Sequence, residues 1–355
     1  MKYKFLFELI DIKIVRIIKL ISLFFSIILL KKTKNILNYN KTFNLIPVSY
    51  GLNNGHIYLT LISITSILEN ANNNTYYIFY ILVSKNQNEF HNKNKRKLKK
   101  IEKNYNKCKI IFVEINDKIL KYSKIKRYPI STYYRLLLAN LLPNINRIIY
   151  LDGDTIILTD LSEMINLKLE KKYIMGFLDN GYKFTKIFGI NTYKYITAGV
   201  ILLNLKEMRI HNITDKFLKF IEKNKKLLKQ EDQTVLNIVL HNKISILPAK
   251  YGLWPFLNKS QLFLHNHYLK NYTKFQCYCD DEINEAYENP GIIHYVMQKP
   301  FKKKYYLSNS TFVNYWLYYA SKTEEYERII KFYNLSLLKK YKLNKYKNKF
   351  ILTLK

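Results

Sequence analysis

Tyr150–Leu158 reads YLDGDTIIL, and both the fold and the chemistry of the chain turn on it. An apolar run, Arg147–Leu151, feeds two carboxylates separated by one glycine, and a second apolar run follows. A strand that ends in Asp152-Gly153-Asp154 leaves its sheet there, so both carboxylates can turn toward one point. Two acids that close repel each other unless a cation neutralises them. A hard divalent metal does so with oxygen ligands and keeps positions open for phosphate oxygens. The competing reading is a solvated β-turn, for which Asp-Gly-Asp is suitable. An EF-hand is excluded, because Ile156 and Ile157 stand where that loop needs a ligand and a glycine.

Working outward, the chain alternates strand and helix signals. Ile46–Tyr50 (IPVSY) predicts a strand and Gly51–Gly55 (GLNNG) a turn. Tyr58–Leu68 carries apolar residues at helical spacing, and Tyr76–Val83 is an apolar run of strand length. Lys93–Lys107 predicts a highly basic helix and Ile110–Ile115 another strand. This order predicts βαβ units and a largely parallel sheet. Ser131–Leu142 reads as a helix capped by Ser131 and closed by Pro143. Tyr173–Leu178 and Gly199–Leu205 read as strands, and Gln230–Leu240 as a helix with Asp232, Leu236 and Val239 on one face.

Composition sets the outer limits. The 355 residues are 48% hydrophobic, which excludes wholesale disorder. The nine glycines form neither GxGxxG nor GxxxxGK[ST], so two common phosphate-cradling loops are absent. A formal charge of +33 attracts polyanions. Asn, Ile, Lys and Tyr are over-used together, however, and their AT-rich codons account for much of the lysine. No zinc-finger spacing or RNP-like aromatic motif accompanies the charge, so no nucleic-acid partner is expected. Cys108, Cys277 and Cys279 make no disulfide framework and lack a second metal half-site.

The ends differ from the middle. Residues 1–31 include LISLFFSIILL (Leu20–Leu30) with basic residues on both sides and no small-residue cleavage site after it. They predict a membrane anchor or interfacial helix, followed by a polar linker over 32–45. Residues 302–355 read as a basic, aromatic, helical tail, with KKKYY (Lys302–Tyr306), YWLYYA (Tyr315–Ala320) and KKYKLNKYKNKF (Lys339–Phe350). Such segments suit anionic lipid surfaces, so membrane association is the expected location.

Five motifs in order, STYYRLLLANLLP (Ser131–Pro143), YLDGDTIIL, TAGVILLNL (Thr197–Leu205), EDQTVLN (Glu231–Asn237) and HYVMQKPF (His294–Phe301), resemble those of glycosyltransferase family 8. That family holds retaining sugar-nucleotide enzymes, among them lipopolysaccharide galactosyl- and glucosyltransferases and glycogenin. The resemblance covers about Ile46–Phe301. It implies an α/β, GT-A (Rossmann-like nucleotide-diphospho-sugar transferase) fold over 46–301, with a mixed, mostly parallel central sheet.

The resemblance also implies roles. Asp152, Asp154 and His294 would ligate Mn²⁺ or Mg²⁺. Tyr50, Asn54, Arg135, Asp152, Gly153, Thr197 and Lys299 would contact the UDP-sugar, Arg135 by reaching the donor and Lys299 as a point charge on the diphosphate. Asp179 would hydrogen-bond the donor sugar's hydroxyls, and Asp232 and Gln233 would flank the anomeric carbon. The chain departs from the family pattern at three places. The turn after the first strand reads Leu52-Asn53-Asn54 without the usual acid, and Gly55 stands where an aromatic is common. Thr197 stands in place of an Asn. The last motif is one residue shorter than usual and ends in Phe301 rather than Trp. None of these removes a metal ligand, so they point to altered specificity before inactivity.

The expected function is metal-dependent, retaining transfer of glucose or galactose from a UDP-sugar to a glycan or glycolipid. The expected path is front-face departure of UDP, with Gln233 supporting developing charge through its amide oxygen and Asp232 orienting the sugar. The alternative is a catalytically inactive, membrane-tethered protein on the same fold that binds polyanions or glycans.

Overall fold

A computed structural model describes residues 43–86, 90–120, 129–179, 181–190, 194–254, 278–296 and 311–327. The chain divides at Ile46 into two units, the second running to Lys355. Its strands are β1 (Asn44–Leu52), β2 (Thr75–Ser84), β3 (Cys108–Ile115), β4 (Arg147–Leu151), β5 (Thr155–Ile157), β6 (Ile174–Leu178), β7 (Ile196–Asn204), β8 (Ile244–Ile246) and β9 (Ile292–His294). The longer helices are α1 (Ile57–Glu69), α2 (Asn92–Asn104), α3 (Ile213–Asn224), α4 (Glu231–Val239), α5 (Asp280–Glu288) and α6 (Thr311–Ser321).

Seven strands form one sheet in the order β3-β2-β1-β4-β7-β6-β8. The pairs β1–β4, β2–β3 and β6–β8 are parallel, and β7 runs antiparallel to both of its neighbours. The reversal at β7 has a local cause. Two short 3-10 turns (Gly181–Phe184 and Lys186–Phe188) lie between β6 and β7, and among the described residues no crossover helix returns the chain parallel. The sheet is therefore the mixed, mostly parallel one expected, with β4 and β7 side by side at its centre.

Among the described residues a second, two-stranded sheet pairs β5 with β9 antiparallel, with Thr155 opposite His294 and Ile157 opposite Ile292. Helix α1 supports the other edge of β5. Its surroundings are apolar on nearly every side, so Thr60, Ser63 and Ser66 are buried along with its leucines and isoleucines. Buried hydroxyls need partners. With Asn70 they fall three or four residues apart on one helical face, and that face meets β5. Ser63 Oγ lies 2.9 Å from Thr155 Oγ1, Ser66 Oγ accepts the Ile157 N–H at 2.9 Å, and Asn70 Nδ2 donates to the Ile157 carbonyl at 3.0 Å. A three-residue strand thus gains a partner strand on one side and a ladder of helix side chains on the other.

Two sequence expectations change. The stretch expected as a Ser131-capped helix is a 3-10 helix over Ile130–Leu137 that widens into one α-turn, Leu138–Leu141, and Ser131 caps nothing. Pro129 is its N-cap, and Arg135 turns its Nε back onto the Thr132 carbonyl at 2.9 Å. The second change is at YWLYYA. This segment lies in α6, and Phe312, Val313, Trp316, Leu317 and Ala320 are buried at helical spacing against Leu59, Ile62, Phe177 and Tyr295. Its aromatic content is core, not a lipid-facing surface. Residues 1–31 and the tail beyond Glu327 lie outside the described residues. Among those described, no helix is long and apolar enough to cross a membrane.

Trp316 is 1% exposed. Trp316→Ala is expected to cost roughly 3–5 kcal/mol of unfolding free energy in urea melts. A change within about 0.5 kcal/mol, as at a solvated tail position, would contradict this packing.

Candidate functional site

The Asp-Gly-Asp turn sits where β4 ends. Asp152 N–H donates to the Gly199 carbonyl at 2.7 Å, the last link to β7, and Tyr295 N–H donates to the Asp154 carbonyl at 3.0 Å. Pairing of β5 with β9 then brings His294 alongside. His294 Nε2 lies 3.7 Å from Asp152 Oδ2 and 3.5 Å from Asp154 Oδ1. These separations are too long for hydrogen bonds, yet one ligand atom from each residue falls within 4.8 Å of the others. Burial pulls the imidazole down to about 4, more strongly than Asp152 raises it, so at neutral pH it is uncharged and able to ligate.

The approach is close enough to dictate glycine. A Cβ on Gly199 would overlap His294 Cε1 and come within 2.6 Å of Asp152 Oδ2, and a Cβ on Gly153 would lie 2.5 Å from Thr60 Oγ1. Two carboxylates and a neutral imidazole in a cradle cleared by Gly199 fit a divalent cation such as Mn²⁺ or Mg²⁺.

Arg135 is the buried counter-charge, 4% exposed. Its Nη2 donates to Asp152 Oδ1 at 2.9 Å, its Nη1 to the Ala198 carbonyl, and its guanidinium lies over the Tyr150 ring at 4.2 Å. Asp232 Oδ2 is 3.0 Å from Nε, whose N–H is directed at Thr132. Burial disfavours the cation, but Asp152 and Asp232 more than offset that, so Arg135 remains charged. Burial also pushes the Asp232 carboxyl up to about 7, with Arg135 opposing and Asp152 reinforcing the rise. Arg135 therefore braces the Asp152 carboxylate and Asp232 together.

A second network stands beside this one. The Gln233 Oε1 accepts the Ala198 N–H at 3.1 Å, which fixes the amide's orientation, and its Nε2 donates to Asp179 Oδ2 at 2.8 Å. Asp179 Oδ1 accepts the Gly181 N–H at 3.0 Å. One helical turn on, Asn237 accepts from the Ile196 N–H and donates to the Ile196 carbonyl, both at 2.8 Å. Two amides on one face of α4 thus act as a surrogate strand for the start of β7. The Gln233 amide oxygen, expected to support developing charge, faces the β7 backbone instead. Glu231, just before Asp232, has φ +42°, a left-handed conformation at the mouth of α4.

The structure brings together Asp152, Gly153, Asp154, Arg135, Asp232 and His294, with Asp179 and Gln233 joined through Ala198. Thr197, buried on β7, accepts the Gly199 N–H at 3.4 Å. Two further residues expected at the donor are bonded within the protein. Tyr50 is fully buried, with its hydroxyl 2.9 Å from Ser63 Oγ. Asn54 Oδ1 accepts from the His91 N–H at 2.8 Å and from Asn94 Nδ2 at 2.9 Å, which ties the turn to α2. Lys299 lies outside the described residues. Sequence reasoning passed over Gly199 and the polar stripe of α1. Polar residues recurring on one face of an otherwise apolar helix were the available signal for the stripe.

The family model described as glycosyl transferase family 8 matches residues 47–304. A lipopolysaccharide 1,2-glucosyltransferase of Escherichia coli is 28% identical over 66% of this chain and 69% of its own length. A Haemophilus influenzae protein with a provisional glycosyltransferase name is 28% identical over 55% of this chain, and the match spans only 59% of that protein. Among solved structures, the galactosyltransferase LgtC in complex with donor and acceptor sugar analogues has a TM-score of 0.65 at 17% identity, over 80% of this chain and all of that one. The bifunctional WbbM glycosyltransferase has a TM-score of 0.62 at 19% identity, over 81% of this chain and 51% of its own. At these identities the structural likeness speaks for the fold.

The two displaced titrations oppose each other. Asp232, raised from 3.8 to about 7, contributes stability below pH 4 that is lost as pH rises through 7. His294, lowered from 6.5 to about 4, contributes stability above pH 6.5 that is lost as pH falls toward 4. Asp232→Asn removes the first effect. In metal-free buffer its unfolding free energy is expected to rise with pH between 4 and 6.5 by about 3 kcal/mol more than that of the unaltered protein. Denaturant melts across that range check this, and equal slopes would refute it.

Proposed function

The chain belongs to glycosyl transferase family 8, and from that premise we propose that it transfers a hexose, glucose or galactose, from a UDP-sugar to a glycan or glycolipid acceptor with retention of configuration. The observation that carries this reading is the convergence of Asp152, Asp154 and neutral His294 on one point. A divalent ion held by these three would supply positive charge where the nucleoside diphosphate departs.

The remaining roles belong to the chain's own side chains. Arg135 bonds Asp152 and aims it, and its own charge is held by the acids on either side. Asp179, anchored by the Gly181 N–H and by Gln233, presents a carboxylate that suits sugar hydroxyls. Gln233 acts through Asp179 and the β7 backbone. Asp232, with its carboxyl raised to about 7, offers a group near its titration point beside the reacting centre. The lipopolysaccharide glucosyltransferase relative supports a glycolipid acceptor and a hexose donor. A membrane-borne acceptor is also consistent with the basic N-terminal segment over 1–31 and the basic sequence beyond Glu327, which we assign to membrane association.

A donor screen with UDP-glucose, UDP-galactose and UDP-N-acetylglucosamine, with and without Mn²⁺, tests the reading through released UDP. One UDP-hexose is expected to be turned over, with activity lost in EDTA. Asp152→Asn and Asp154→Asn are each expected to lower kcat/KM by about 100-fold or more. Full activity of either variant would remove the metal role. No UDP release with any donor would favour a non-enzymatic binding protein.

A further inference from the structure

Thr155 touches the framework of all three candidate ligands. It follows Asp154 in the chain, and its backbone lies opposite His294 in the β5–β9 pair. Its side-chain hydroxyl donates to the Asp152 carbonyl at 2.9 Å and so closes the Asp152–Thr155 loop that contains both carboxylates. The residue is 1% exposed.

The direction of hydrogen bonding around it follows from counting protons. A hydroxyl has one proton, and that of Thr155 is spent on Asp152. The 2.9 Å contact with Ser63 Oγ is therefore a bond donated by Ser63. Ser63 has then spent its own proton, so the 2.9 Å contact with Tyr50 is donated by the phenol. Burial raises the Tyr50 hydroxyl well above its usual range, which keeps it a donor. A one-way chain runs from Tyr50 to Ser63 to Thr155 and ends on the carbonyl that begins the Asp-Gly-Asp turn.

We propose that Thr155 is a positioning residue that sets the separation of the Asp152 and Asp154 carboxylates by closing their loop, and that Ser63 and Tyr50 hold its hydroxyl in that orientation. The inference rests on the metal site proposed above and gives that site a determinant that is not itself a ligand. Thr155 is well suited to the task. Its branched Cβ restricts χ1, and its burial keeps water from competing for the hydroxyl. Removing an outer-shell partner of a metal ligand typically weakens affinity about 10–100-fold.

The test compares Thr155→Val, which keeps the shape without the hydroxyl, with Thr155→Ser, which keeps the hydroxyl. Ser66→Ala serves as control, because it loses a neighbouring bond from the same helix face to Ile157 rather than to the loop. Mn²⁺ alone is titrated by calorimetry and by the loss of its free-ion resonance, and melting in EDTA reports stability. Thr155→Val is expected to raise the Mn²⁺ dissociation constant about tenfold, Thr155→Ser by less than about twofold, and Ser66→Ala to lower Tm without moving the constant. In the metal-free protein, amide exchange over Asp152–Thr155 is expected to accelerate in Thr155→Val alone. If Thr155→Val does not fold, Ser63→Ala replaces it, with an expected weakening of about threefold.

Unaltered Mn²⁺ affinity in Thr155→Val, or in Ser63→Ala where it stands in, overturns this inference and leaves the metal site standing. Equal weakening in Ser66→Ala also overturns it, since general loosening would then explain the loss. Failure of the unaltered protein to take up Mn²⁺ removes the metal site and the inference with it.

Discussion

The pairing of β5 with β9 is the constraint on which the site depends. It joins residues distant in sequence through three paired positions, and one of them sets Thr155 against His294. A slip of one residue would turn His294 to the opposite face of the ladder. So short a pair is marginal alone; α1 adds stability at the free edge of β5 through Ser66 and Asn70, and it reaches the site itself through Ser63 on Thr155. The helix in turn is held by its leucines and isoleucines under the main sheet. Apolar burial thus becomes precision at a polar centre, through hydroxyls that sit within the apolar helix.

The charges at the centre are arranged by the same logic. Arg135 is fully inside the protein, where an unpaired guanidinium would be costly, and two carboxylates share it. Removing either acid leaves a buried charge less well matched, which is typically more damaging than the net worth of the pair. The arrangement leaves Asp152 with one oxygen committed to Arg135 and the other toward His294. That split explains why a single arginine in a 3-10 segment matters to a centre built mainly from strands.

Much of this was legible beforehand, for identifiable reasons. Strand and helix periodicity located β1 to β4, α1, α2 and α4 to within a few residues, because each carries a continuous apolar run or a helical repeat. Asp152 and Asp154 announced themselves by sequence proximity. His294 became legible only through family resemblance, since nothing local marks a histidine that arrives by strand pairing. Tyr50 illustrates the limit. On a strand buried on both faces, alternation does not say which side a tyrosine takes, and here it points to Ser63. The end of the chain misled for a related reason. Lysine and tyrosine crowd the whole region, and composition averaged over it hides an amphipathic stretch whose Trp316 belongs to the interior.

The late position of α6 has a practical consequence. The family match ends at residue 304, so the motifs invite an expression boundary just after it. Cutting there would strip the cover from Leu59, Ile62 and Tyr295. It would also remove the Phe312 carbonyl that accepts the Tyr295 hydroxyl at 2.5 Å, and Tyr295 is the residue whose backbone holds Asp154. The shortened polypeptide would expose that apolar surface and leave Asp154 without its anchor, so an inert fragment would say nothing about the intact chain.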